Sequence, residues 1–151
     1  MANTQAMCTS FKGELLVGHH NFGTGVVRAA TTADTFKAAL YLASATVNAA
    51  TTAYSSTNEV TGTGYTAGGA TVTFGTVPST SGTTAFVTPS ASISYSAVTL
   101  STAFDAVLIY NSTQSNKAVS VHTFGSQTVT AGTFTLTMPT NDASTGLIRL
   151  A

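Results

Sequence analysis

Three histidines, one cysteine and five carboxylates are the side chains best suited here to acid–base, nucleophilic or metal chemistry. The adjacent His19 and His20, with His122 as a distant third, invite a metal reading. Neighbouring residues on an extended segment point to opposite faces, so such a pair chelates poorly outside a loop. No cysteine or carboxylate stands at a familiar ligand spacing around them. They are read as two polar loop residues and a strand surface residue. Glu14, Asp34, Glu59, Asp105 and Asp142 could in principle pair for hydrolysis. Each lies near a different expected element, and the supporting charges that tune a catalytic carboxyl are scarce. Cys8 could serve as a nucleophile, but it sits in a stripe with Met7 and Phe11 and is read as a buried structural thiol.

The remaining motifs fare no better as sites. Hydroxyl residues are abundant, yet no Gly-x-Ser-x-Gly elbow occurs. The run Gly62-Thr63-Gly64-Tyr65-Thr66-Ala67-Gly68-Gly69 lacks the Lys-Ser/Thr of a phosphate loop and precedes no helical pattern. It is read as turns that need positive φ or close packing. Asn111-Ser112-Thr113 matches a glycosylation acceptor, but no secretory signal accompanies it, and it is read as a turn. Carbohydrate sites often use aromatics beside polar groups. This chain has no Trp, and its tyrosines, Tyr41, Tyr54, Tyr65, Tyr95 and Tyr110, are dispersed. The sequence therefore nominates no catalytic, cofactor-binding or metal residue, and a non-enzymatic protein is expected.

Composition narrows the partners. Hydrophobic residues make up 43% of the 151 positions, enough for a core, while charged residues make up only 7% and cancel to zero net charge. Ordinary globular proteins carry about 25% charged residues, and surface charge normally keeps free proteins apart. A surface of Thr, Ser, Ala and Gly has few ions to strip of water on contact, which suits a chain packed against neighbours. The basic residues Lys12, Arg28, Lys37, Lys117 and Arg149 are scattered, so nucleic acid is not an expected partner. No apolar run reaches a bilayer span, and the N-terminus has no basic region followed by an apolar one. Cys8 is alone, so no internal disulfide can form; synthesis in a reducing cytoplasm is expected.

The elements that must position these residues are mostly strands. Met7, Phe11 and Leu15 recur every four residues, with Leu16 beside them, and predict one short N-terminal helix ended by Gly18; 19–28 reads as a loop. From Thr35 the apolar period becomes two. Strands are expected at 36–42, around Val72 and Phe74, at Phe86-Val87, around Ile93 and Tyr95, at 104–110, around Val119 and Val121, over 134–138 and at 147–150. The stretch 111–117, Gly125-Ser126 and Ala131-Gly132 read as turns. Eight or so short strands suggest one all-β domain over 1–151, an antiparallel two-sheet β-sandwich of Ig-like or jelly-roll kind. The long small-residue stretch 43–69 reads as an excursion or arm. It and the N-terminal stripe look too exposed for a lone sandwich, so at least one is expected to pack against another subunit.

Several pieces of the chain resemble a family of small virion structural proteins encoded by tailed bacteriophages. They run from Met1-Ala2-Asn3-Thr4, Met7-Cys8-Thr9-Ser10-Phe11-Lys12 and Glu14-Leu15-Leu16, through Phe36-Lys37-Ala38-Ala39-Leu40-Tyr41, Tyr54-Ser55, Thr57-Asn58-Glu59-Val60 and the Gly62–Gly69 run, to Ala106-Val107-Leu108-Ile109-Tyr110-Asn111, Asn116-Lys117-Ala118-Val119, Gly132-Thr133-Phe134-Thr135-Leu136 and Leu147-Ile148-Arg149-Leu150. The resemblance implies a particle component without catalysis. The favoured expectation is a decoration or cement protein on the outside of the capsid, with the major capsid protein and further copies of itself, as a homotrimer, for partners. The alternative is a tail, fibre or baseplate component, with receptor or glycan binding.

Overall fold

The computed structural model describes residues 3–8, 11, 15, 19–20, 22–23, 33–76 and 78–151. These form an all-β structure of two antiparallel sheets. The larger is built from β1 (Ala6–Met7), β7 (Lys117–Leu136), β6 (Ile93–Asn111), β2 (Phe36–Leu42) and β3 (Ala70–Val72), side by side in that order. The smaller contains β4 (Ser79–Ser81), β5 (Thr84–Val87) and β8 (Ile148–Leu150). Apolar residues from both, including Leu40, Leu108, Val119, Val87 and Ile148, join one buried cluster.

The alternation seen in the sequence accounts for β2. Phe36, Ala38 and Leu40 share one face, and Lys37, Ala39 and Tyr41 share the other, opposite Tyr110, Leu108 and Ala106 of β6. The turn at 112–116 also follows from its residues. Ser115 and Asn116 take positive φ, and the Asn111 side-chain oxygen accepts the N–H groups of Thr113 and Gln114.

Two corrections concern β6 and β7. Expected as separate short strands, they form one hairpin of 19 and 20 residues. Gly125-Ser126 and Ala131-Gly132, read as turns, lie inside β7, where the register with β6 slips repeatedly. Bulges use the same small or positive-φ residues as turns, and Ala131 and Ala97 both have positive φ. The slips bend the hairpin. A straight strand would put Tyr95 roughly 45 Å from Ile109, yet the Tyr95 hydroxyl donates to the carbonyl of Ala38, which pairs with Ile109, at 2.7 Å. The far half of the hairpin thus returns over the near half.

The expected N-terminal helix falls largely outside the described residues. Phe11 and Leu15 are described, in helical backbone, and no helix is seen as an element among the described residues. Met7, the first position of the stripe, is in β1, where Ala6 and Met7 pair with Val121 and Ser120 along the edge of β7.

The stretch 43–69 is an excursion from the sheet, but it does not project as an arm. It crosses back through bridges from Glu59 to Tyr41, Ala53 to Lys117 and Thr63 to Thr99. Ala45, Val47 and Val60 are buried, as are Cys8, Phe11 and Phe22 of the N-terminal segment. These described apolar residues of both segments join the chain's own core.

The glycine run explains how the excursion lies so close. Gly64, Gly68 and Gly69 have positive φ. A Cβ at Gly69 would stand 1.7 Å from the carbonyl oxygen of Ala38, and one at Gly62 would stand 2.1 Å from that of Thr99. Gly69→Ala is expected to destabilise the fold by about 2 kcal/mol through this clash and the backbone strain. Gly82→Ala, at a positive-φ turn with nothing near its Cβ position, should cost about 1 kcal/mol. Urea denaturation of the two variants separates close approach from φ strain.

Candidate functional site

Of the sequence residues singled out for chemistry, His20 and Asp34 meet at the Asn111 amide; Cys8, Asp105, Asp142 and His122 are held by other partners. His19 is exposed and His20 buried. The Nδ1 of His20 accepts from the Asn111 amide at 3.2 Å, and that amide also donates to Asp34 at 2.7 Å. Cys8 is fully buried, its thiol 3.9 Å from the carbonyl of Asn48. Asp105 accepts from the Asn3 amide at 2.5 Å, which moors the N-terminal segment. Asp142 caps a turn through the N–H groups of Ser144 and Thr145, and these bonds hold its carboxyl below the usual range. Glu14 lies outside the described residues. Among the described residues no three His, Cys, Asp or Glu side chains cluster as a metal site, and no helix is long and apolar enough to cross a membrane.

What the sequence did not disclose is a convergence of all five tyrosines around Glu59. This carboxylate is only 5% exposed. It accepts from the Tyr54 hydroxyl at 2.6 Å, the Tyr65 hydroxyl at 2.7 Å and the Gly68 N–H at 2.7 Å. Tyr54 stacks on Tyr110, whose hydroxyl donates to the Gly68 carbonyl. Tyr65 stacks on Tyr95. Tyr41, bridged to Glu59 through the backbone, donates to the carbonyl of Ser55. Burial first, and the negative charge of Glu59 with it, push the Tyr41 and Tyr110 phenols up to about 12. Those of Tyr54, Tyr65 and Tyr95 are raised further, by burial first and then, for Tyr54 and Tyr65, by the hydrogen bond to Glu59 and, for Tyr95, by the Glu59 charge. Every phenol thus keeps its proton and donates inward. The arrangement is a latch that holds the excursion on the sheet.

One concave, mainly apolar feature lies between the two halves of the bent hairpin. It is a cavity of about 260 Å³ with an open mouth. Val107, Ile109 and His122 from the near half face Ile93, Phe134 and Leu136 from the far half, with Met138 and Leu147 at one side. Phe134 is wedged edge-on against Phe104 and lies beside Phe124 and Tyr95. His122 is the one titratable group among the described lining residues. Its Nε2 lies 2.9 Å from the Ser120 hydroxyl, and burial lowers its pKa to about 4. Among the described residues no carboxylate lines the cavity beside the imidazole. The cavity can bury an apolar molecule beside a neutral imidazole.

Comparison with family models, with curated proteins and with solved structures yields no match to this chain.

Proposed function

We propose that the chain is a non-catalytic structural component of a tailed-phage virion, a decoration or cement protein that binds the outside of the capsid and stabilises it. The resemblance supplies the particle. The observation that carries the contact role is the far half of the β6–β7 hairpin. From Val60 to Phe104 and from Ala118 to Asn141 the chain has no Asp, Glu, Lys or Arg. Most of β7 beyond Val121 is exposed or half-buried, and among the described residues only the two-residue β1 pairs with its outer edge. Monomeric proteins usually guard such edges with charges or proline; here neither is present. The two sheets serve, on this reading, as the layers of a sandwich, and the uncharged edge meets the major capsid protein and further copies of the chain, with a homotrimer as the assembled unit.

The test is a particle made without the protein. Heads should assemble but burst at lower temperature or on chelator treatment, and added protein should restore them. Heads of unchanged robustness on particles that fail to adsorb would move the protein to the tail. Introducing Lys at Thr128 and Thr130 should abolish restoration while leaving the isolated protein folded, since β7 is exposed or half-buried there.

A further inference from the structure

The cavity inside the bent hairpin has a property that the assembly role does not require. Its walls are mostly aliphatic and aromatic, with Thr123, Gln127, Thr135 and Thr137 also on the lining, its volume is about 260 Å³, and it contains one polar ring, that of His122. A smaller dry cavity of about 150 Å³ suffices to take up a benzene-sized molecule in a protein core, so this one has room for a bicyclic skeleton. Water finds few partners among Ile93, Val107, Ile109, Phe134 and Leu136.

The polar ring sets the chemistry of the occupant. The Nε2 of His122 is engaged by Ser120, while its Nδ1 has no hydrogen-bond partner among the described residues. A neutral imidazole has one donor and one acceptor nitrogen. If the Ser120 hydroxyl donates to Nε2, Nδ1 carries the proton; if Nε2–H donates to Ser120, Nδ1 is the acceptor. A hydroxyl satisfies either tautomer, because it can donate or accept. No charged side chain is present among the described lining residues to neutralise an ion, so a charged ligand would be disfavoured.

We propose that this cavity is a binding site for a small neutral alcohol or phenol with an apolar one- or two-ring body, the body lying between Phe134, Leu136 and Val107 and the hydroxyl on His122. This site does not depend on the capsid role and would exist in the isolated protein.

The test uses 1-naphthol and naphthalene as probes with the full-length protein, read by chemical-shift changes of the side chains of Val107, Ile109 and Leu136. Saturable shifts confined to the cavity are expected with 1-naphthol, and about fivefold weaker binding with naphthalene, the worth of one net hydrogen bond. His122→Phe should abolish that preference. Leu136→Trp, at the half-buried rim, should block both probes, and it provides the control should the His122 variant fail to fold. No saturable shift at solubility, shifts centred on other residues, or equal affinity for the two probes in the unaltered protein would each overturn the proposal.

Discussion

Glu59→Ala is expected to lower the unfolding free energy by about 4 kcal/mol, more than any other single polar substitution in the described structure. The variant leaves two phenol hydroxyls and the Gly68 N–H facing a hole where a carboxylate stood. Each buried donor left unpaired costs about 1–3 kcal/mol, and water entering the gap recovers part of the sum. Glu59→Gln keeps the shape and one acceptor oxygen, and the Tyr54 hydroxyl can turn to accept from the new amide, so a loss of about 1 kcal/mol is expected. Tyr65→Phe should fall between the two. The damage should also be local first. Residues 43–69 are held by this latch and by few regular ladder bonds, so their amides should exchange earlier than those of β6. Urea denaturation with amide exchange checks both parts. Equal stability of the Ala and Gln variants would mean that the carboxylate is not the keystone of the excursion.

The second large effect is on pH. His122 has its pKa lowered to about 4 by burial, against about 6.5 for an unfolded histidine. Between those values the unfolded chain binds a proton that the folded chain refuses. Stability rises with pH wherever the unfolded state binds more protons. The contribution is therefore fully present above pH 6.5 and is lost as pH falls through that window towards 4, by up to about 3 kcal/mol. Among the described residues that line the cavity, no other titratable group faces the ring. His122→Phe should flatten this slope while leaving any loss at lower pH, where the depressed carboxyl of Asp142 begins to protonate. Urea midpoints at pH 7 and pH 4.5 for the two proteins give the difference. Parallel slopes would place the imidazole in water.

Much of the fold was legible because its signals are local. Alternation in Phe36-Lys37-Ala38-Ala39-Leu40 is a property of neighbours, and so are the Asn and Ser residues of the 112–116 turn. The hairpin was misread because a glycine or a positive-φ alanine serves a bulge as well as a turn, and only the partner strand tells them apart. β4 carries no apolar alternation at all, since Ser79, Thr80 and Ser81 are all exposed. The tyrosine cluster was hidden for a different reason. Tyr41, Tyr54, Tyr65, Tyr95 and Tyr110 meet only through pairings that are remote in sequence. One signal was available: Glu59 is the sole charged residue between Lys37 and Asp105. A lone carboxylate in so long an uncharged stretch, with tyrosines on both sides, implies a purpose, and burial against phenol donors is the purpose that needs no counter-ion. His122 gave no such hint, because Ile93, Phe134 and Leu136, which close the cavity over it, come from the far half of the hairpin.

The bent hairpin and its uncharged edge matter most if the chain covers a phage head. The most direct measurement is the position of the protein on the particle, by imaging virions labelled with an antibody to an exposed turn such as 82–83. Label over the head surface, in a regular array and outside the shell, is the predicted result. Label confined to the tail or baseplate, or particles that carry no label while the protein stays in the unassembled fraction, would contradict it.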